Sequence, residues 1–139
     1  MDWLIQGRPV VPGRAQGIAL VTDVPLSFWG GYDHRSGEIT DRRHPLSGAI
    51  AAGMVLVVPF TRGSSTTTAV LLEAIKSGTA PAAIVTTNVD SFFALASIVA
   101  DELYGSPIPI VAITPAEATA LKSGDRISIA ENGSLQING

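Results

Sequence analysis

Residues 54–87, MVLVVPFTRGSSTTTAVLLEAIKSGTAPAAIVTT, decide the fold of this chain. Their first seven residues form a continuous apolar run, which is typical of a strand buried on both faces. Residues 66–76 repeat apolar side chains at helical spacing, and Gly78 provides the glycine stop that often ends a helix. Residues 82–87 form a second apolar run. The stretch therefore predicts a buried strand, a helix and another buried strand.

The same alternation continues toward the C-terminus. Residues 91–103 carry an apolar stripe at helical spacing, and residues 108–113 form a third apolar run. A proline opens the next segment, residues 115–121, which predicts a short helix. Residues 127–137 predict a closing hairpin, with Asn132-Gly133 as a two-residue turn.

The N-terminal part predicts strands without intervening helices. Residues 1–15 are rich in Gly, Pro and Arg and indicate an extended segment, and residues 17–22 are a short apolar run typical of a strand. Residues 23–31 predict a second strand that ends in a turn. The whole order favours an α/β fold in one domain, residues 1–139: a barrel-like β layer plus a small parallel sheet flanked by helices.

Composition excludes several classes of function. Basic residues do not form a patch, so nucleic-acid binding is not expected. The chain has no cysteine and two histidines, His34 and His44, so we expect no metal site in this chain. No apolar run approaches the roughly 20 residues that span a bilayer, and no signal pattern opens the sequence, which predicts a cytoplasmic protein. Charged residues are only 15%, against about 25% in ordinary domains, which favours a surface partly covered by another chain as much as a compact apolar domain.

The segment FTRGSSTTT, residues 60–68, joins a predicted buried strand to a predicted helix N-terminus. Ligands bind at such junctions in open α/β folds, because a helix start presents unpaired N–H groups and partial positive charge. Gly63 would let a ligand approach the backbone, and Ser64 would stand in that field. Ser and Thr are also good helix caps, so the same pattern fits a purely structural role. A Walker-type phosphate loop is excluded because no lysine follows the glycine at the required position.

A polar stretch, residues 30–46, contains both histidines and several charged side chains. It could line a site, or it could form surface turns. Turn residues favour a hairpin turn over residues 33–37. The role of His44 stays open at this level.

Together these segments resemble a known family, the small subunit or small domain of aconitase X. The resemblance covers nearly the whole chain and follows the order and spacing of these motifs: Gly30-Gly31-Tyr32-Asp33, Ser36-Gly37-Glu38-Ile39, His44-Pro45-Leu46-Ser47-Gly48, Arg62-Gly63-Ser64-Ser65, Ala80-Pro81-Ala82-Ala83-Ile84-Val85 and Ile98-Val99-Ala100-Asp101-Glu102-Leu103-Tyr104-Gly105.

The resemblance implies a swivelling β/β/α domain and one part of a two-part hydro-lyase, a dehydratase. Members act on a small molecule, cis-3-hydroxy-L-proline in bacteria or mevalonate 5-phosphate in archaea, and a large partner subunit holds the iron–sulfur cluster. The present chain would thus bind no cofactor itself. The stretch from Ile98 to Gly105 looks bacterial and favours the hydroxyproline substrate. A plausible natural start at Met1 and the closing hairpin favour a separate small subunit.

The resemblance also implies roles for individual residues. Aconitase's swivelling domain carries Gly-Ser-Ser-Arg, whose first Ser is the catalytic base and whose Arg binds a substrate carboxylate. Gly63, Ser64 and Ser65 match the first three positions, which makes Ser64 the implied base. Thr66 occupies the Arg position, a departure that puts tricarboxylate substrates in doubt. Arg62 would partly replace that Arg in binding substrate, with Gly63, Ser65 and Thr66 beside it.

Two alternative functions, from other classes of protein, remain. The pattern is also similar to phosphohistidine swivelling domains, which need a histidine about three residues before Ile98-Val99-Ala100. Leu95 stands there, so the phosphocarrier function fails and only the topology is shared. A non-catalytic binding or scaffold domain is the other alternative, and pairing with an iron–sulfur protein would discriminate against it.

Overall fold

A computed structural model describes residues 2–28, 30–60, 65–87 and 91–138 of the chain. These residues form, in chain order, β1 (Asp2–Gln6), β2 (Arg8–Val11), β3 (Ala15–Val21), β4 (Val55–Val57), α1 (Ser65–Ser77), β5 (Ala83–Thr86), α2 (Ser91–Tyr104), β6 (Ile110–Ala112), α3 (Pro115–Ala118), β7 (Arg126–Ile129) and β8 (Ser134–Asn138).

The strands form a nearly closed, barrel-like sheet in the order β1-β8-β7-β3-β4-β5-β6-β2. Strands β3 to β6 are parallel, with Val21, Val57, Val85 and Val111 in register across them, and the other pairs are antiparallel. The four parallel strands therefore end on one side of the sheet, which we call the carboxyl edge. Residues that follow these strands emerge together at that edge.

The parallel strands are buried on both faces, as the continuous apolar runs predict. Leu56 and Ile84 face an outer core, which includes residues of α1 and α2 and apolar side chains from residues 26–51. Val55 and Val57 face an inner core completed by β1, β7 and β8. Both long helices thus lie on one face of the parallel sheet, as right-handed connections between sequential parallel strands require. None of the helices in the described ranges combines the length and the apolar character needed to cross a bilayer.

Two predictions for the N-terminal part need correction. The extended segment before residue 15 forms two strands, β1 and β2, which add to opposite ends of the sheet order. The second strand predicted at residues 23–31 is wrong, since the described residues there form no strand beyond one bridge position at Leu26. Their apolar side chains serve the outer core instead: Phe28 stacks on Tyr32 with centroids 4.9 Å apart and meets Phe93 edge-on at 5.3 Å. Burial raises the pKa of Tyr32.

The closing hairpin is confirmed, but its predicted two-residue turn is wrong. The N–H of Ala130 donates to the carbonyl of Ser134 (3.0 Å), and the N–H of Gly133 donates to the carbonyl of Ala130 (2.9 Å). Three residues therefore make the turn, and Gly133 takes the left-handed position with a φ of 86°. The carbonyl of Gly133 also accepts from the N–H of Gly7 (3.0 Å), which joins the hairpin to the β1–β2 connection.

Gly133→Ala is expected to destabilise the fold more than Gly124→Ala. Both glycines have a positive φ, but a Cβ at Gly133 would lie 2.7 Å from the carbonyl oxygen of Gly7, whereas a Cβ at Gly124 meets nothing within 4 Å. Gly124→Ala should cost about 1 kcal/mol from backbone strain, and Gly133→Ala at least about 1 kcal/mol more. Urea unfolding of both variants measures the difference. Equal losses would contradict the close contact between the hairpin and residue 7.

Candidate active site

A cavity of about 520 Å³ opens at the carboxyl edge. The ends of β3, β4 and β5 form its floor, and α3 and the residues after it form one wall. Most of its lining is apolar, with a few hydroxyls and one carboxylate. The lining residues are Val21, Thr22, Asp23, Val57, Val58, Pro59, Thr87, Pro115, Ala118, Thr119 and Leu121.

The segment predicted to carry the chemistry leaves β4 at this same edge. Pro59 lines the cavity, Phe60 follows it with 41% of its surface exposed, and α1 begins at Ser65. The predicted strand before this junction and the predicted helix after it are therefore confirmed, as β4 and α1. Residues 61–64, which include Arg62, Gly63 and Ser64, lie outside the described residues.

The remaining two predicted site residues begin the helix. Ser65 is the first residue of α1, and Thr66 is an exposed residue of its first turn. The hydroxyl of Thr68, two residues on, donates to the carbonyl of Phe92 at 3.1 Å and so ties the start of α1 to the start of α2. The N-terminus of α1 is thus held against the N-terminus of α2.

The ends of β4 and β5 are also fixed to each other. Both the backbone N–H and the hydroxyl of Thr87 donate to the carbonyl of Pro59, each at 3.2 Å. Just before, the N–H of Val58 donates to the carbonyl of Val85 at 2.9 Å. These bonds hold the point from which the Ser64 segment departs.

A chain of hydrogen bonds connects His44 to the end of β4. The N–H of Thr22 donates to the carbonyl of Val57 (2.9 Å), and the N–H of Val24 donates to the hydroxyl of Thr22 (3.0 Å). The Nε2 of buried His44 lies 3.1 Å from the carbonyl of Val24, and the N–H of Leu46 donates to Nδ1 at 3.0 Å. Because Nδ1 accepts, the hydrogen-bond pattern assigns a hydrogen to Nε2, which donates to the carbonyl of Val24. His44 therefore braces the polar stretch against the carboxyl edge.

Val24 and His44 also line a second cavity, of about 550 Å³. Its lining is Val24, Pro25, Ser27, Asp41, Arg42, Arg43 and His44. The two cavities are adjacent along the chain, because residues 21–23 line the first and residues 24–25 line the second.

The predicted turn over residues 33–37 is confirmed. The N–H of Gly37 donates to the carbonyl of Asp33 at 2.7 Å, and an isolated bridge pairs Tyr32 with Ile39 beyond the turn. The backbone N–H of Arg35 donates to the Asp33 carboxylate at 2.8 Å and lowers the pKa of that carboxyl. His34 is only half-buried in this turn, and no group of three or more His, Asp or Glu in the described ranges is arranged to hold a metal ion.

Sequence reasoning missed the other walls of the first cavity, Thr22, Asp23, Thr87 and α3. A signal was present, because each of these lies at the end of a predicted strand or shortly after one, and the ends of parallel strands meet at one edge.

Comparison with known proteins identifies the family. A family model described as the aconitase X swivel domain matches residues 4–137. The chain belongs to the aconitase X swivel-domain family. The crystal structure of Thermococcus kodakaraensis aconitase X in its holo form superposes on this aconitase X swivel domain with a TM-score of 0.87 and 31% identity, covering 98% of both chains.

Two relatives of this aconitase X swivel domain differ in how much of their own length matches it. The cis-3-hydroxy-L-proline dehydratase of Pseudomonas aeruginosa is 49% identical over 110 residues, 79% of this chain but only 19% of that protein. The phosphomevalonate dehydratase small subunit of Thermococcus onnurineus is 34% identical over 134 residues, 96% of this chain and 97% of that subunit. The family resemblance and the barrel-like α/β fold predicted from sequence are thereby confirmed.

Proposed function

We propose that this chain is the swivel-domain subunit of an aconitase-X-type dehydratase that acts on a small hydroxy acid such as cis-3-hydroxy-L-proline. The observation that carries the proposal is the 49% identity to a protein named for that reaction, against 34% for the phosphomevalonate relative. A second candidate is the small subunit of a mevalonate 5-phosphate dehydratase. The match to that relative over 134 residues, 96% of this chain, supports it.

Ser64 is the proposed base of the reaction. Dehydration breaks a C–H bond at one carbon and the C–O bond at its neighbour: Ser64 Oγ takes the proton, the C–H electrons form the double bond, and the hydroxyl leaves with a proton as water. A neutral serine is too weak a base for this task in water. The segment enters the 13-residue helix α1 at Ser65, and the unpaired N–H groups of a helix start stabilise negative charge on a nearby oxygen.

The cavity at the carboxyl edge suits a small substrate. Its volume of about 520 Å³ lies in the usual range of about 300–1,000 Å³ for ligand pockets. The mostly apolar lining keeps water away and strengthens the interaction of charges within the cavity. Arg62, Gly63, Ser65 and Thr66 are proposed to bind the substrate beside Ser64.

The iron–sulfur cluster of the reaction is proposed to belong to a large partner subunit. The chain has no cysteine, and its described residues offer no cluster of other ligands, so its residues do not fit such a group. Exposed apolar side chains support a partner that covers part of the surface, since Leu95, Ile98 and Leu103 on α2 are 50%, 52% and 63% exposed.

The isolated chain is expected to show no dehydratase activity. Turnover should appear only when the purified chain is mixed with a cysteine-bearing large subunit, assayed in parallel with cis-3-hydroxy-L-proline and mevalonate 5-phosphate. The preferred substrate decides between the two candidate reactions. Turnover by the pure, iron-free chain would overturn the two-part assignment, and failure to pair with any iron–sulfur protein would favour a binding domain.

A further inference from the structure

The cavity at the carboxyl edge has four polar side chains in its lining, Thr22, Asp23, Thr87 and Thr119. Asp23 carries the one charge among them, and the described lining holds no lysine, arginine or histidine. Among the residues that the structure describes, the ion pair within 4.0 Å joins Arg14 to Glu131, so the Asp23 carboxylate has no cationic partner there. A negative charge without a counter-ion therefore faces this cavity.

Two of the three hydroxyls in the lining have already used their hydrogens. The hydroxyl of Thr87 donates to the carbonyl of Pro59 at 3.2 Å, and the hydroxyl of Thr119 donates to the carbonyl of Ala116 at 2.6 Å. A hydroxyl has one hydrogen and two lone pairs, so each of these oxygens can still accept a hydrogen bond but has no hydrogen left to donate. The side chains of Asp23, Thr87 and Thr119 thus offer the cavity only acceptors, and we call these three residues the acceptor wall.

Thr22 is the exception among the polar lining residues. Its hydroxyl accepts from the N–H of Val24 at 3.0 Å and keeps its hydrogen, but Thr22 is buried. One neutral donor does not replace the cation or the several donors that a buried oxyanion requires. The described side chains of the lining therefore suit a group that donates hydrogen bonds and carries positive charge, and they disfavour a phosphate.

The two candidate substrates differ in this property. Cis-3-hydroxy-L-proline has a ring nitrogen that, when protonated, carries a positive charge and two N–H donors. Mevalonate 5-phosphate has a carboxylate and a phosphate and no cationic group. A hydrogen bond with an ionised partner is about twice as strong as one between neutral groups, and the apolar remainder of the lining strengthens it further.

We propose that the acceptor wall binds the donor groups of a cyclic hydroxy amino acid, with the Asp23 carboxylate on its ring ammonium, and that Asp23 thereby selects this substrate class over phosphorylated hydroxy acids. The proposal rests on the proposed dehydratase function and concerns its substrate. Asp23 follows β3 and Thr87 follows β5, on either side of β4, so about 10 Å, two strand spacings, separates them. That distance exceeds the reach of one ring nitrogen, which leaves a threonine oxygen for the hydroxyl of the substrate.

Steady-state kinetics of the assembled two-part enzyme tests the role of Asp23. Asp23→Asn keeps the size of the side chain and removes its charge. It should raise KM for cis-3-hydroxy-L-proline by about 10- to 100-fold, the scale of losing a charge-assisted hydrogen bond, with kcat within about threefold. The matched control Glu131→Gln removes the charge of an exposed carboxylate outside this cavity and should leave KM unchanged.

A pair of inhibitors separates binding of the ammonium from a general loss of affinity. L-Proline and cyclopentanecarboxylate share a five-membered ring and a carboxylate, and they differ in the ring ammonium. L-Proline should inhibit the parent enzyme at least about tenfold more strongly, and Asp23→Asn should reduce that ratio to about one. A damaged fold would weaken both inhibitors alike and keep the ratio.

Three results would overturn the acceptor wall: an unchanged KM in Asp23→Asn, the same inhibitor ratio in both enzymes, or a preference of the assembled enzyme for mevalonate 5-phosphate. The last result would leave the dehydratase function in place and remove only the acceptor wall. Subunit association is measured alongside, because Asp23 is exposed. Weaker association with an unchanged inhibitor ratio would assign Asp23 to the contact with the partner chain and would also overturn the proposal.

A titration of the full chain on its own, followed by ¹⁵N NMR, needs no turnover. L-Proline should shift the signals of Asp23, Thr87 and Thr119, cyclopentanecarboxylate should shift them less, and Asp23→Asn should abolish the difference. This result can be obtained even if no large subunit gives dehydratase activity, so a failure of the proposed function is distinguishable from a failure of the acceptor wall. Equal shifts with both ligands, or no shifts at these residues, would contradict the acceptor wall.

Discussion

Replacing Ser64 with alanine is expected to lower kcat of the assembled enzyme by at least about a hundredfold. That is the usual lower scale for the loss of a positioned base. The change removes the oxygen that takes the proton and leaves the glycine before it and the helix after it in place. Stability should fall little, by about 1 kcal/mol at most, which is the usual cost of a lost helix cap.

A matched control comes from the other end of the same helix. Ser77 is exposed at the last position of α1, and Ser77→Ala should leave kcat unchanged. If Ser64 is only a cap, the pattern reverses: Ser64→Ala lowers the melting temperature while the assembled enzyme keeps near-normal turnover. Measuring kcat and melting temperature on the same preparations separates the two roles.

The parts of the fold that sequence predicts well depend on local periodicity. Apolar runs locate β4, β5 and β6, and helical spacing with a glycine stop locates α1 to within one residue at each end. The position of Gly78 in the left-handed region, with a φ of 75°, shows why the helix ends there. Because parallel strands in sequential order bring their ends to one edge, the edge that carries the candidate cavity was also predictable.

The parts that sequence misses depend on contacts between distant residues. Residues 23–31 have strand-like composition, but Leu26 and Phe28 are buried in the outer core without strand pairing. The role of His44 cannot be predicted from the residues next to it in sequence, because its hydrogen-bond partner Val24 lies 20 residues away. The turn after Ile129 likewise depends on the contact between Gly133 and Gly7, which no local propensity describes.

Leu56→Ala is expected to cost about 2–5 kcal/mol of the free energy of unfolding. Leu56 is fully buried in the centre of β4, between β3 and β5, and its side chain belongs to the outer core under the helices. The lost methyl groups leave a cavity that close-packed neighbours fill only in part. Ile110→Ala should cost a similar amount, since Ile110 is fully buried in the same core.

Leu95→Ala is the matched control, because it makes the same chemical change on the surface. Leu95 is 50% exposed on α2, and alanine is the better helix former, so the loss should stay below about 1 kcal/mol. Urea unfolding of the three variants and the parent chain gives the comparison. Losses below about 1 kcal/mol at both Leu56 and Ile110 would contradict the two-sided burial of the parallel strands. Because the Ser64 segment departs from β4, the same result would also remove the rigid support on which its proposed role as a base depends.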